Sequence, residues 1–210
     1  MFDLYIFDLD GTLINSKPGV TGSVQYALRQ QGIHVDDLDS LTKFIGPPLH
    51  DSFRDFYGFG PQEVAKAVED YRDIYARRGM FDAEIYSGII PLLKSLKQAG
   101  KPVCIATTKA KPVAEDVLNH FELTQYFDKI IGSNTDGTLS DKAELIPIIL
   151  EDYPHIPKHR VAMIGDRKFD IDGAKACGIK SIAVNWGFGS PEEFARHGAD
   201  MVINQPEEIG

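Results

Sequence analysis

Residues 6–14 read I-F-D-L-D-G-T-L-I, an apolar run that ends in two aspartates one residue apart and then a Gly-Thr pair. Tyr5, Ile6 and Phe7 predict a strand covered on both faces, still extended when the chain reaches Asp8. A carboxylate at the end of such a strand is costly unless a partner compensates it. The fold and the chemistry both follow from asking what that partner is.

Moving outward from this stretch, short apolar runs rich in β-branched residues recur at 103–106, 129–131, 161–164, 181–184 and 201–203. Helical patterns lie between them. Ile89, Ile90, Leu92, Leu93 and Leu96 stop at Gly100; Ala114, Val117, Leu118 and Phe121 repeat the spacing; residues 145–150 follow Asp141 as a helix cap. Strand and helix alternate, which predicts an α/β fold with a doubly wound parallel sheet, Rossmann-like, covered on both faces. Residues 17–80 break the rhythm with helical patterns alone, at 20–31 closed by Gly32, in a middle stretch to Phe44, from Pro47-Pro48 onward, and from Val64 to Gly79. The expected organisation is therefore an α/β core of residues 1–15 and 86–210, interrupted by a helical cap of residues 16–85. Hinges are expected near Asn15–Ser16 and in residues 80–86.

Composition narrows the partners. With 210 residues, 43% of them hydrophobic, the chain can bury a sizeable core. A formal charge of −9 without a clustered basic stripe disfavours nucleic acid and anionic membranes, and points to a small-molecule ligand. The apolar runs are too short to span a bilayer and the N-terminal Met-Phe-Asp-Leu carries no basic leader, so a soluble, cytoplasmic protein is expected; oligomeric state is left open. Cys104 and Cys177 sit in apolar surroundings and read as buried thiols.

In open α/β sheets ligands sit beyond the carboxyl ends of the strands. Reading those ends together gathers Asp8 and Asp10 after the first strand, Thr107-Thr108-Lys109 after the second, Lys142 beyond the third, and Gly165-Asp166 with Asp170 after the fourth. Four carboxylates at one rim repel unless a hard, oxygen-seeking cation relieves them, and Mg²⁺ bound by few protein ligands keeps room for a phosphate. Asp8, Asp10, Asp166 and Asp170 are the candidate metal residues. Thr107, Thr108 and Lys142 are the candidate phosphate ligands, with the amides of Thr108 and Lys109 at the entry to a helix starting near Lys111. Asp8 is then placed as a nucleophile toward phosphorus and Asp10 as its acid/base neighbour. Taken singly the signals are weaker: Lys142 could be a solvated lysine, Asp141 a helix cap, Asp170 a cap or ion-pair partner, and Asp172 reads as surface.

Taken together, D8-L-D10-G-T-L, A-T107-T108-K, Lys142 and G-D166-R-K-F-D170 resemble the motifs of the haloacid dehalogenase superfamily, and the resemblance spans essentially the whole chain. It implies a Mg²⁺-dependent phosphatase in which Asp8 is nucleophile and metal ligand, and Asp10 is acid/base and metal ligand through its carbonyl. Thr107 and Lys142 hold the phosphoryl group, and Asp166 with Asp170 completes the Mg²⁺ site. Dehalogenases and phosphonate hydrolases of the superfamily lack the second aspartate of the first motif, whereas this chain has Asp10. Arg167 stands where relatives often have Thr or Ser. The helical insert resembles the cap of the phosphoglycolate phosphatase-like subgroup, and Gly46-Pro47-Pro48 resembles its specificity loop, with Lys43 and Arg54 nearby. Phosphoglycolate is the first-ranked substrate on that basis, ahead of nucleoside 5′-monophosphates and sugar phosphates; a mutase is a rival, and a non-catalytic phosphate-dependent binding module is the alternative of another class.

Overall fold

The computed structural model describes residues 1–209. In chain order the elements are β1 (Leu4–Phe7), β2 (Ile14–Asn15), α1 (Lys17–Gln30), α2 (Leu49–Tyr57), α3 (Pro61–Arg77), β3 (Glu84–Ile85), α4 (Ile89–Gln98), β4 (Val103–Ala110), α5 (Lys111–His120), β5 (Lys129–Ser133), α6 (Lys142–Leu150), β6 (Val161–Gly165), α7 (Lys168–Cys177), β7 (Lys180–Val184), α8 (Pro191–His197) and β8 (Met201–Ile203). Six strands form one sheet in the order β5-β4-β1-β6-β7-β8, and every pairing in it is parallel. The α/β, doubly wound architecture expected from the sequence is the one observed. Because β1 lies between β4 and β6, the strand order reverses around it, and the crevice this creates opens at the carboxyl ends of these three strands.

Alternation along the strands decides which side chains face which helices. Leu4 and Ile6 of β1, Cys104 and Ala106 of β4, and Val161 and Met163 of β6 point to one face, where they meet Leu145, Ile146 and Ile149 of α6 and Ala174 and Cys177 of α7. Helix α6 starts with Asp141 accepting from the Ala143 amide at 2.9 Å while Glu144 reaches back to the Asp141 amide, a capping box. Pro147 lies inside this helix and has no N–H for the Ala143 carbonyl, which instead receives the Cys177 thiol at 3.8 Å. Both cysteines are buried and unbridged, and burial pushes the Cys104 thiol up to about 11.

The chain divides into two compact units: Met1–Ile14 together with the chain from Ile85 onward, and Asn15–Glu84. The short strands β2 and β3 pair with each other where the chain passes between units. The second unit is helical. In it α1 packs on α3 and on the 3-10 turn Leu38–Phe44, and an aromatic group of Phe44, Phe53 and Phe59 forms part of its interior. The "middle stretch" of the sequence pattern is this 3-10 turn. The helix expected from Pro47-Pro48 begins at Leu49, with Pro48 as its N-cap. Among the described residues no helix is long and apolar enough to cross a membrane.

At the opposite end of the sheet from the crevice, Asp3 ties three strand starts together. Its carboxylate accepts from Arg160 Nε at 2.7 Å, just before β6, and from Lys101 Nζ at 2.8 Å, just before β4. The Arg160 hydrogen bond, and then that of Lys101, hold the Asp3 carboxyl well below the usual carboxylate range. A depressed folded-state pKa contributes stability above the ordinary carboxylate value that is lost as pH falls through it. Asp3→Asn should therefore lower the thermal midpoint slightly near about pH 7, the groups being partly exposed, and the gap to the wild type should narrow below about pH 3 and close only as pH falls further. A gap of equal size at both pH values in thermal unfolding would contradict this role.

Candidate active site

Asp8 follows β1 directly, and the chain then turns back on itself. The amides of Thr12, Leu13 and Ile14 donate to the Leu9 carbonyl, and that of Gly11 to the Ile14 carbonyl. Gly11 has φ +78°, and a methyl group on it would lie 2.2 Å from Asp166 Oδ2. Only glycine satisfies both conditions, which explains the Asp-Gly that follows the strand. The turn leaves Asp8 buried, its Oδ1 accepting from the Leu9 amide at 2.7 Å.

Lys142, expected as a phosphate ligand, is the cation that faces Asp8 in the structure. Its side chain is 1% exposed, and its Nζ lies 2.9 Å from Asp8 Oδ1 and 2.7 Å from Asp170 Oδ1, while donating to the Ala106 carbonyl at 2.7 Å. Burial opposes the charge on Lys142, but Asp170 and Asp8 outweigh it and raise its pKa, so the ammonium persists. Asp170 Oδ2 also accepts from the Arg167 amide at 3.1 Å, which closes the first turn of α7. Asp166, at the end of β6, is fully buried; it accepts from the Phe188 amide at 2.7 Å and from the Thr12 hydroxyl at 3.4 Å.

Carboxylate oxygens of Asp8, Asp166 and Asp170 come within 4.8 Å of one another. One ammonium faces these three buried acids. Burial, joined by the charge of Asp170, raises the carboxyls of Asp8 and Asp166, with Lys142 pulling Asp8 in the other direction. An all-oxygen, buried, charge-deficient set of this kind fits a hard divalent cation such as Mg²⁺.

The remaining expected residues take distinct places. Asp10 does not join the carboxylate trio through its side chain, which turns to Lys109, with Nζ 3.0 Å from Oδ1 and 2.9 Å from Oδ2. Thr107 is buried at the rim, and its Oγ1 accepts from the Lys109 amide at 3.3 Å. That amide is thus engaged within the strand end, because β4 runs on to Ala110 before α5 begins at Lys111. Thr108 lies beside it, half-buried. Asp172 is on the surface and pairs with His197 at 2.8 Å. Arg167 Nε pairs with Glu193 at 3.1 Å.

Two contributors were not singled out from the sequence. The first is the Lys109 side chain. The second is the segment Trp186-Gly187-Phe188 after β7, which supplies the Phe188 amide to Asp166 and the Trp186 Nε1 donor to the Thr12 carbonyl at 3.0 Å. Its signal was an aromatic-glycine run at a further strand end on the same rim.

This chain belongs to the haloacid dehalogenase-like hydrolase family, whose model matches residues 5–184. It is a phosphatase-type enzyme of that family. Over 192 residues it is 40% identical to a 5′-nucleotidase of Pseudomonas aeruginosa, covering 91% of this chain and 86% of that protein. It is also 40% identical over 201 residues to the tyrosine-protein kinase PtkA of Mycobacterium tuberculosis (96% and 68% covered), and 27% identical over 214 residues to phosphoglycolate phosphatase 1 of P. aeruginosa (98% and 78%). A crystal structure described as a predicted phosphatase from Clostridium acetobutylicum superposes with a TM-score of 0.94 at 42% identity, covering 100% of this chain and 96% of that one.

The charge deficit at the rim makes a prediction that needs no substrate. Mg²⁺ should raise the thermal midpoint, by about 2.7 kcal/mol of stability at a hundredfold excess over its dissociation constant. Asp166→Asn should abolish that response and, without metal at neutral pH, raise the midpoint by removing an uncompensated buried charge. That gain should shrink as pH falls toward the ordinary carboxylate range, where the wild-type carboxyl protonates as well. An undiminished Mg²⁺ response in the variant, followed by differential scanning fluorimetry, would remove Asp166 from the metal site.

Proposed function

We propose that the protein hydrolyses small phosphomonoesters through a covalent aspartyl-phosphate on Asp8, with Mg²⁺ as cofactor. The observation that carries this reading is the division of the first-motif aspartates: Asp8 points to Lys142 and the buried acids, while Asp10 points away to Lys109. Two carboxylates two residues apart in different surroundings suit two different roles.

In the first half-reaction an Asp8 oxygen attacks phosphorus, the bond from phosphorus to the ester oxygen breaks, and that oxygen takes a proton from Asp10. In the second, Asp10 takes a proton from water as the water oxygen attacks phosphorus, and the bond to Asp8 breaks to release phosphate and the free carboxylate. Lys142 and the Thr107 hydroxyl neutralise and orient the phosphoryl oxygens, with Thr108 beside them. Asp8, Asp166 and Asp170, with the main-chain carbonyl of Asp10 that the family resemblance adds, would hold the Mg²⁺, which when bound supplies positive charge against the repulsion between carboxylates and phosphate.

For the alcohol part of the substrate we rank nucleoside 5′-monophosphates first. The two cap cations that favoured phosphoglycolate are already engaged: Arg54 pairs with Asp51 at 2.8 Å and Asp55 at 2.7 Å, and Lys43 Nζ sits 4.7 Å from the Phe56 ring centre. The likeness to a 5′-nucleotidase at 40% identity supports the nucleotide, against 27% for a phosphoglycolate phosphatase. Phosphoglycolate stays as the second reading because Gly46, with φ +107°, sets a bend before Pro47-Pro48 in the segment that resembles the specificity loop.

Steady-state kcat/KM should favour nucleoside 5′-monophosphates over 2-phosphoglycolate and hexose phosphates by tenfold or more, about 1.4 kcal/mol in transition-state binding. The reverse order would overturn the ranking, and no turnover of any ester would favour the binding module. Asp8→Asn should reduce turnover to background in a folded protein, and Asp10→Asn should cost on the order of 10²–10⁴-fold. Appreciable activity in Asp8→Asn would exclude covalent catalysis at this residue.

A further inference from the structure

We infer that Lys109 is the positioning residue for Asp10, and that a β-bulge in β4 exists at this site to deliver it. The inference rests on the reading of Asp10 as the proton carrier. Its basis is the local geometry of the β4 end, where pairing with β5 loses its regular step. Thr107 is opposite Gly132 and Ala110 is opposite Ser133, so three steps along β4 match one step along β5. Thr108 and Lys109 are the extra residues. A bulge of this kind bends the strand and re-aims the side chains in it.

The bulge is accommodated by the neighbouring strand. A methyl group on Gly132 would lie 2.6 Å from the Lys109 carbonyl oxygen and 2.8 Å from Lys111 Cα, so the two backbones approach more closely than any other residue allows. The same bulge turns the Lys109 amide onto Thr107 Oγ1 at 3.3 Å and sends the side chain across to β1's exit turn. There a single ammonium straddles both oxygens of Asp10, at 3.0 and 2.9 Å, with the two side chains only 9% and 14% exposed. Among the described residues no other side chain hydrogen-bonds to that carboxylate. Lys142 is committed to Asp8, Asp170 and the Ala106 carbonyl.

Asp10 follows a strand and sits in a turn, so its carboxylate has rotamer freedom unless something fixes it. Lys109 fixes it, and the amide–hydroxyl contact couples that fixing to Thr107, a residue of the phosphoryl site. Proton delivery to the leaving oxygen therefore depends on Lys109, whereas attack by Asp8 and binding of the phosphoryl group do not. The consequence is a leaving-group signature. An alkoxide must be protonated as its bond to phosphorus breaks, while para-nitrophenolate leaves without help.

The test compares wild type, Lys109→Met and Lys109→Arg on a nucleoside 5′-monophosphate and on para-nitrophenyl phosphate, with thermal midpoints confirming that each variant is folded. Lys109→Met should lower kcat/KM for the nucleotide by about 10–100-fold and for para-nitrophenyl phosphate by less than about threefold. Lys109→Arg, whose guanidinium can pair with both carboxylate oxygens, should restore most of the loss. In an Asp10→Asn background Lys109→Met should add no further loss. Equal losses on the two esters would make Lys109 a ligand of the phosphoryl group and overturn the inference, as would an unaffected Lys109→Met. If wild type hydrolyses neither of these esters nor 2-phosphoglycolate, the phosphatase reading itself falls and takes this inference with it; if it hydrolyses both and only the signature is missing, Lys109 alone is at fault.

Discussion

The ammonium of Lys142, buried between Asp8 and Asp170, is the interaction on which the rest of the site depends. Desolvating three carboxylates at one sheet end is expensive, and removing the one cation among them would leave charges buried without a partner, at about 3–5 kcal/mol for a pair of this kind. The fold makes room for that lysine. Helix α6 begins at Lys142 because Asp141 caps it, and α7 can press against this first turn because Gly173 has no side chain; a methyl group there would lie 2.4 Å from Lys142 Cβ. Sequence-local capping, helix–helix packing and the charge balance of the site thus meet at one residue.

Sheet topology explains why the partners arrive from so far apart in sequence. Parallel pairing of β1 with β4 and with β6 sets Phe7 opposite Ile105 and Ile164, so the residues just after these three strands emerge side by side. Asp8, Thr107 and Asp166 lie one or two residues beyond that register, Asp8 and Asp166 just past their strands and Thr107 still within β4. The chain as a whole carries a formal charge of −9, so an anionic substrate is attracted only by local cations. At the phosphoryl site Lys142 provides this charge, already engaged with Asp8, while the charge of Lys109 is taken up by Asp10.

The six strands of the main sheet, their parallel pairing and the residues gathered at its rim were legible in the sequence because each rests on local signals: short β-branched runs, helix caps, and polar residues at strand ends; the two-residue strands β2 and β3 are too short to show a period and were not. The helical insert was legible as a change of period. What was not legible depends on alignment between distant segments. The aim of Lys109 is set by a bulge measured against β5, and nothing in Thr107-Thr108-Lys109 alone announces two extra residues. The Phe188 amide reaches Asp166 only once β7 lies beside β6. Lys43 meets the rings of Phe56 and Tyr57 only once α2 is folded beside the 3-10 turn, whereas Arg54 pairs with Asp51 and Asp55 of its own helix, a spacing the sequence already contained.

In the proposed reaction Asp8 carries the phosphoryl group between the two half-reactions. Quenching the enzyme during turnover and reducing it with borohydride converts an aspartyl-phosphate into homoserine, which peptide mass spectrometry locates by residue. Homoserine is expected at position 8, dependent on substrate and absent from Asp8→Asn. Homoserine at position 10, 166 or 170, or turnover with no reducible intermediate under conditions where hydrolysis of the aspartyl-phosphate limits the rate, would contradict this role.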